Sequence, residues 1–170
     1  DHQRWLRLAA RIGSRGVGSV EPNPPVGCVL VSPEGEAVGM GHHRRFGGAH
    51  AEAEALRRAG ERARGATAYV TLEPCRHQGK TPPCVDALVE AGVARVIAAV
   101  RDPGSESGGG IERLGDAGIE ADIARCPEAD QLASPFLHRA RTGLPWIIAK
   151  WAQTLDGRVA TRTGESQWIS

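Results

Sequence analysis

His50-Ala51-Glu52 and, further along, Pro74-Cys75 and Cys84 lay an imidazole, a carboxylate and two thiols along one chain. For these groups to act together, the fold must return three separate segments to one point. An imidazole nitrogen and two thiolates suit zinc. Three protein ligands leave the fourth tetrahedral position open, whereas a structural zinc site is closed by four. A carboxylate beside such a centre moves protons without being a ligand. His50, Cys75 and Cys84 are therefore read as metal ligands, Glu52 as the acid/base, and Zn2+ as the expected ion.

The spacing constrains the elements that carry these groups. Residues two apart do not share a face in mid-helix. His50 and Glu52 can converge only if His50 sits at the very start of a helix, after the turn at Gly47-Gly48-Ala49. That helix, rich in Ala and Glu, is predicted over 50–64. A strand over 66–72 closes directly on Glu73-Pro74-Cys75. Thr81-Pro82-Pro83 reads as an N-cap and first-turn prolines ahead of a helix that carries Cys84 and stops near Gly92. A strand end and a helix start both project from the C-terminal edge of a sheet, where α/β folds hold ligands. A helix N-terminus also favours thiolate over thiol.

Elsewhere, Trp5, Leu8, Ala9 and Ile12 recur at helical spacing. A buried strand over 26–32, a turn at Pro33-Glu34-Gly35 and a strand over 36–42 form a hairpin. Further strands are predicted over 93–100 and 119–123, with a short helix over 111–117 between them and a flexible stretch over 104–110. A last helix places Leu132, Phe136, Leu137 and Ala140 on one face, interrupted at Ser134-Pro135. Strands alternating with helices predict an α/β fold on a mixed sheet, a hairpin first and parallel strands later.

Composition narrows the partners. Among 170 residues, 21 Lys+Arg against 20 Asp+Glu give a net charge of +1, which supplies no broad cationic field for nucleic acid. The apolar runs are far shorter than the roughly 20 residues of a membrane helix. No charged-then-apolar leader opens the chain, so a cytoplasmic protein without membrane partners is expected. The chain opens on Asp1, which leaves room for residues ahead of it. Cys28 reads as a small core residue and Cys126, at a Cys-Pro junction, as chemically inert.

With Thr71-Leu72-Glu73-Pro74-Cys75 and His77-Gln78-Gly79-Lys80-Thr81-Pro82-Pro83-Cys84 added to His50-Ala51-Glu52, the chain resembles the riboflavin biosynthesis deaminases. These form the N-terminal half of a bifunctional deaminase–reductase. The resemblance also takes in 22–27, 39–42 and Asp102-Pro103. The long spacer between the cysteines is its most specific element, since cytidine-type and tRNA-type deaminases hold theirs two residues apart. The resemblance implies a cytidine-deaminase-like three-layer α/β/α sandwich. It also implies hydrolytic deamination of a small phosphoribosyl-pyrimidine, 2,5-diamino-6-(5-phosphoribosylamino)pyrimidin-4-one. By position it implies substrate contacts from Asn23, His42, Lys80, His77 and Asp102, although Asn23 serves equally well as a turn cap. Where the family commonly reads D-P-N-P, this chain has Gly104-Ser105 after Asp102-Pro103 and lacks that asparagine.

The same resemblance divides the chain into a deaminase domain over 1–144 and the opening of a reductase domain over 145–170. It implies that Ala152 and Trp168 approach NADP and Ser166 the reductase substrate, provided a full reductase domain exists. A dinucleotide domain needs a sheet with covering helices, so no reductase activity is expected from this chain alone. The strand expected over 145–151, with Trp146, Ile147, Ile148 and Trp151, has no sheet to join. It invites a homo-oligomer or pairing with another chain. Two other readings stand beside this one: a deaminase of cytidine, guanine or an RNA base, and a zinc-stabilised interaction module without catalysis.

Overall fold

The computed structural model describes residues 2–79 and 81–167 and contains one five-stranded mixed sheet. Lys80 and Trp168 lie outside the described residues. Strands β1 (Gly27–Val31) and β2 (Ala37–His42) form the antiparallel hairpin, and β3 (Thr67–Val70) runs antiparallel to β1. Strands β4 (Arg95–Ala98) and β5 (Glu120–Ile123) then continue parallel to β3, giving the order β2-β1-β3-β4-β5.

Both faces of this sheet are buried, and strand alternation decides which side chain serves which layer. Cys28, Leu30, Ala68, Val70 and Val96 face α2 (Ala51–Ala59), α3 (Cys84–Glu90) and α4 (Gly110–Asp116). Their neighbours Val29, Val31, Tyr69 and Ile97 face α1 (His2–Gly13) and α5 (Pro127–Thr142). The expected α/β/α sandwich is thus observed. Helix α2 lies very close to β2, because a Cβ at Gly41 would overlap the Ala51 carbonyl oxygen and one at Gly39 the Ala55 carbonyl oxygen.

Two helices depart from expectation. Instead of running to residue 64, α2 ends at Ala59. Gly60 takes φ +57, and a 3-10 turn over Gly60–Ala63 follows. Helix α5 is not interrupted at Ser134-Pro135 but runs through both. Proline removes one helix hydrogen bond. Here Pro135 lies on the exposed side, while Ala129, Ala133 and Leu137 on the opposite side bury against α1.

Gly143 closes α5 in the left-handed conformation, and no helix or strand follows among the described residues. The expected 145–151 strand has no sheet partner. Trp146 rests edge-on against His138, while Ile147, Ile148 and Trp151 are exposed. Among the described residues, no helix is long and apolar enough to cross a membrane.

Candidate metal centre

Three elements deliver the four residues to one place. His50 is the N-cap of α2 and still extended, at φ −72 and ψ 164. That is the entry geometry needed for an imidazole and the carboxylate two residues later to face the same point. Glu52 follows in the first turn of α2, Cys75 lies just past the end of β3, and Cys84 opens α3.

His50 Nδ1 lies 3.2 Å from Cys84 Sγ and 3.5 Å from Cys75 Sγ, and the three donor atoms all fall within 4.8 Å of one another. A tetrahedral zinc with bonds of about 2.0–2.1 Å to nitrogen and 2.3 Å to sulfur separates its ligand atoms by roughly 3.6–3.8 Å. The donor set and its spacing therefore fit zinc. All four cysteines are free thiols, so no disulfide competes for the pair.

The electrostatics favour a thiolate at one sulfur. The Cys84 thiol, then His50 and the Cys84 backbone N–H, hydrogen-bond to Cys75 and bring it down to about 4. Cys84 is driven up, first by its bond to Cys75 and then by burial. Hydrogen bonding to Cys75 raises His50 above its usual value. Glu52 is almost fully buried, and burial lifts its carboxyl to about 7.

A cavity of about 330 Å³ opens onto His50, Glu52 and Cys75, and Asn23, His77 and Asp102 also line it. His42 does not; its neighbour His43 does. Strand alternation explains the exchange. The parity of Gly39 and Gly41, which meet α2, continues to residue 43, while His42 has its pKa lowered by burial first and then by Arg44, Arg15 and Arg58. His43 Nδ1 donates to the Ala49 carbonyl (2.9 Å), which leaves Nε2 to accept from Asn23 Nδ2 (3.3 Å). Its ring packs edge-on to His50, with centroids 5.4 Å apart. Ala152 and Ser166 lie on the exposed tail and line no part of the cavity.

The stretch expected to be flexible after Asp102 is instead a folded wall. Glu73, buried between β3 and Cys75, accepts the N–H groups of Asp102 (3.0 Å) and Ile111 (2.9 Å) and so holds both ends of it. The Arg76 guanidinium donates to the carbonyls of Ser105 (3.0 Å) and Gly108, and the Arg76 N–H to the carbonyl of Ser107 (3.2 Å). The Gly108 N–H closes back on the Gly104 carbonyl at 2.9 Å. Glu73 and Arg76 had no reading from sequence. Only the place of Glu73 between a strand and a metal ligand can be seen in the sequence; its burial cannot.

Residues 1–100 match the family described as the cytidine and deoxycytidylate deaminase zinc-binding region. The chain belongs to this family. A second match, to the RibD C-terminal domain, covers residues 145–170. Among relatives of this deaminase-family chain, the riboflavin biosynthesis protein RibD of Escherichia coli K12 is 53% identical over 168 residues, which is 98% of this chain and 46% of the relative. A solved diaminohydroxyphosphoribosylaminopyrimidine deaminase/5-amino-6-(5-phosphoribosylamino)uracil reductase from Thermotoga maritima superposes with a TM-score of 0.91 at 40% identity, covering 99% of this chain and 49% of that one. The dCMP deaminase of cyanophage S-TIM5, at 20% identity and a TM-score of 0.56 over 72% of this chain and 96% of that one, shares the deaminase fold. The chain spans about half the length of the curated relatives it matches.

Proposed function

We propose that this chain carries out zinc-dependent hydrolytic deamination of 2,5-diamino-6-(5-phosphoribosylamino)pyrimidin-4-one in riboflavin biosynthesis. The products are ammonia and 5-amino-6-(5-phosphoribosylamino)uracil. The observation that carries this reading is the buried carboxylate of Glu52 beside the His50, Cys75 and Cys84 donors. The high identity to RibD proteins favours this substrate over cytidine or guanine.

When bound by His50, Cys75 and Cys84, zinc lowers the pKa of water from about 16 toward 7 and so supplies a nucleophile at neutral pH. The remaining work belongs to the chain. Glu52, with its carboxyl lifted to about 7 by burial, passes one proton of the attacking water to the ring nitrogen and the second, released as the new carbonyl forms, to the amine that departs as ammonia. The Asn23–His43 pair presents polar atoms to the pyrimidine edge. Asp102 and His77 complete the polar lining, and Lys80 is assigned to the ribose phosphate by resemblance.

The division into a deaminase domain over 1–144 and a reductase opening over 145–170 belongs to the same proposal, as does a cytoplasmic location. NADP enters only with a full reductase domain, through Ala152 and Trp168, with Ser166 toward its substrate. The exposed 145–151 segment is the proposed route to an oligomer or to pairing with another chain.

Ammonia release measures the main claim. The zinc-loaded protein is expected to deaminate the phosphoribosyl-diaminopyrimidine, to leave cytidine untouched, and to lose and regain activity as zinc is stripped and restored. Preference for cytidine, or turnover that ignores metal removal, would overturn the assignment.

A further inference from the structure

The folded wall over 102–109 holds a hydroxyl that the proposed reaction has not used. Ser107 lines the cavity together with Asp102. Its main chain is fixed by the Arg76 N–H bond to its carbonyl, whereas its hydroxyl has no hydrogen-bond partner among the described residues. Its Oγ occupies the space in which a side chain at Gly104 would begin, since a Cβ there would overlap it. The backbone of Gly104 is not in the left-handed region, so what a side chain there would disturb is the placement of the Ser107 hydroxyl rather than the backbone.

We infer that Ser107 is a specificity-determining residue for the proposed substrate, its hydroxyl reading a hydroxyl of the ribosyl group, with Arg76 and Gly104 as positioning residues. The chemistry of its neighbour selects the sugar. The Cβ position at Gly104 is also 3.1 Å from Asp102 Oδ1, so the carboxylate and the serine hydroxyl border the same space. That carboxylate already accepts the Gly104 N–H at 2.9 Å. A carboxylate disfavours an incoming phosphate and accepts hydrogen bonds from alcohols, while a serine hydroxyl both donates and accepts. The pair therefore suits an uncharged, hydroxyl-bearing group.

This inference rests on the proposed substrate, and steady-state ammonia release by the zinc-loaded protein tests the two separately. Ser107→Ala is expected to raise KM roughly three- to tenfold, as loss of one neutral hydrogen bond would, with kcat and zinc content unchanged. Gly104→Ala should raise KM similarly, because its new Cβ displaces the serine hydroxyl. The double variant should be no worse than either single one, since both changes remove the same contact. The 5′-dephosphorylated substrate, measured as an inhibitor, should lose affinity for Ser107→Ala by the same factor. A KM unchanged in Ser107→Ala, or additive effects in the double variant, would overturn the inference and leave the deaminase reading intact. A penalty confined to phosphorylated substrate would assign Ser107 to the phosphate and overturn the sugar assignment. Failure of the unaltered protein to deaminate the substrate at all would sink both readings.

Discussion

Glu52 combines near-complete burial with a carboxyl raised to about 7, which excludes a surface charge and supports its proposed acid/base role. Replacing it with glutamine keeps the shape and removes the exchangeable proton. Glu52→Gln is expected to retain zinc and cooperative unfolding while ammonia release falls by at least about a hundredfold, the usual scale of a positioned proton carrier. Turnover equal to the parent's in the metal-loaded variant would refute the role. The ligands and Glu52 could be read from sequence because each has a distinctive chemistry and the fold had to gather them. His43 could not be read so directly. Two adjacent histidines follow Gly41, and only the clearance that Gly39 and Gly41 give α2 shows which of them turns toward the cavity. Glu73 escaped for a different reason: its value lies in accepting two distant backbone donors, a relation that only tertiary structure creates.

Helix α2 positions both His50 and Glu52, so its seat on β2 sets the geometry of the site. Gly41→Ala would push a methyl group into the Ala51 carbonyl at the start of that helix. Overpacking of this kind costs about 1–3 kcal/mol and shifts backbone. The variant is expected to unfold at lower denaturant concentration and to bind zinc more weakly, as checked by chemical denaturation and metal titration; parental values for both would contradict the packing account. Glu54 on the same helix is buried beside β2 at Gly41, hydrogen-bonded to Arg57 and ion-paired with Arg44, Arg57 and Arg58 at 2.9–3.0 Å. The Arg57 hydrogen bond leads in holding its carboxyl at about 2, below the 4.5 of an unperturbed glutamate. A carboxyl whose pKa is depressed by folding binds more protons when unfolded, so its contribution is complete above about 4.5 and disappears as pH falls toward about 2. Glu54→Gln should therefore flatten the pH dependence of unfolding free energy in that acid window, and an unchanged slope would count against the cluster. Periodicity revealed that these elements exist, but it could not place their ends. Gly60 stops α2 early, and burial of Ala133 and Leu137 carries α5 through a proline that local propensity would have used to break it.

The folded unit closes at Gly143, and none of the described residues beyond it enters either core cluster. A chain cut after Gly143 is expected to keep its zinc content and its thermal midpoint within a few degrees, while losing any self-association carried by Trp146, Ile147, Ile148 and Trp151; a large fall in midpoint would show that the tail contributes to the core. The α/β architecture was legible from the alternation of strands and helices, and its three-layer form from the family resemblance. The folded 102–109 wall was not, because its order comes from Arg76 and Glu73 rather than from its own glycine-rich sequence. What the assembled molecule achieves is to bring a helix cap, a strand end and a helix start together, so that three donor atoms lie within 4.8 Å of one another, and the proposed zinc would be held there with one position open. X-ray absorption at the zinc edge tests that directly. The account predicts two sulfurs at about 2.3 Å, one imidazole nitrogen at about 2.0 Å and one further light atom exchangeable with solvent. A shell closed by four protein ligands, or zinc without sulfur neighbours, would contradict it.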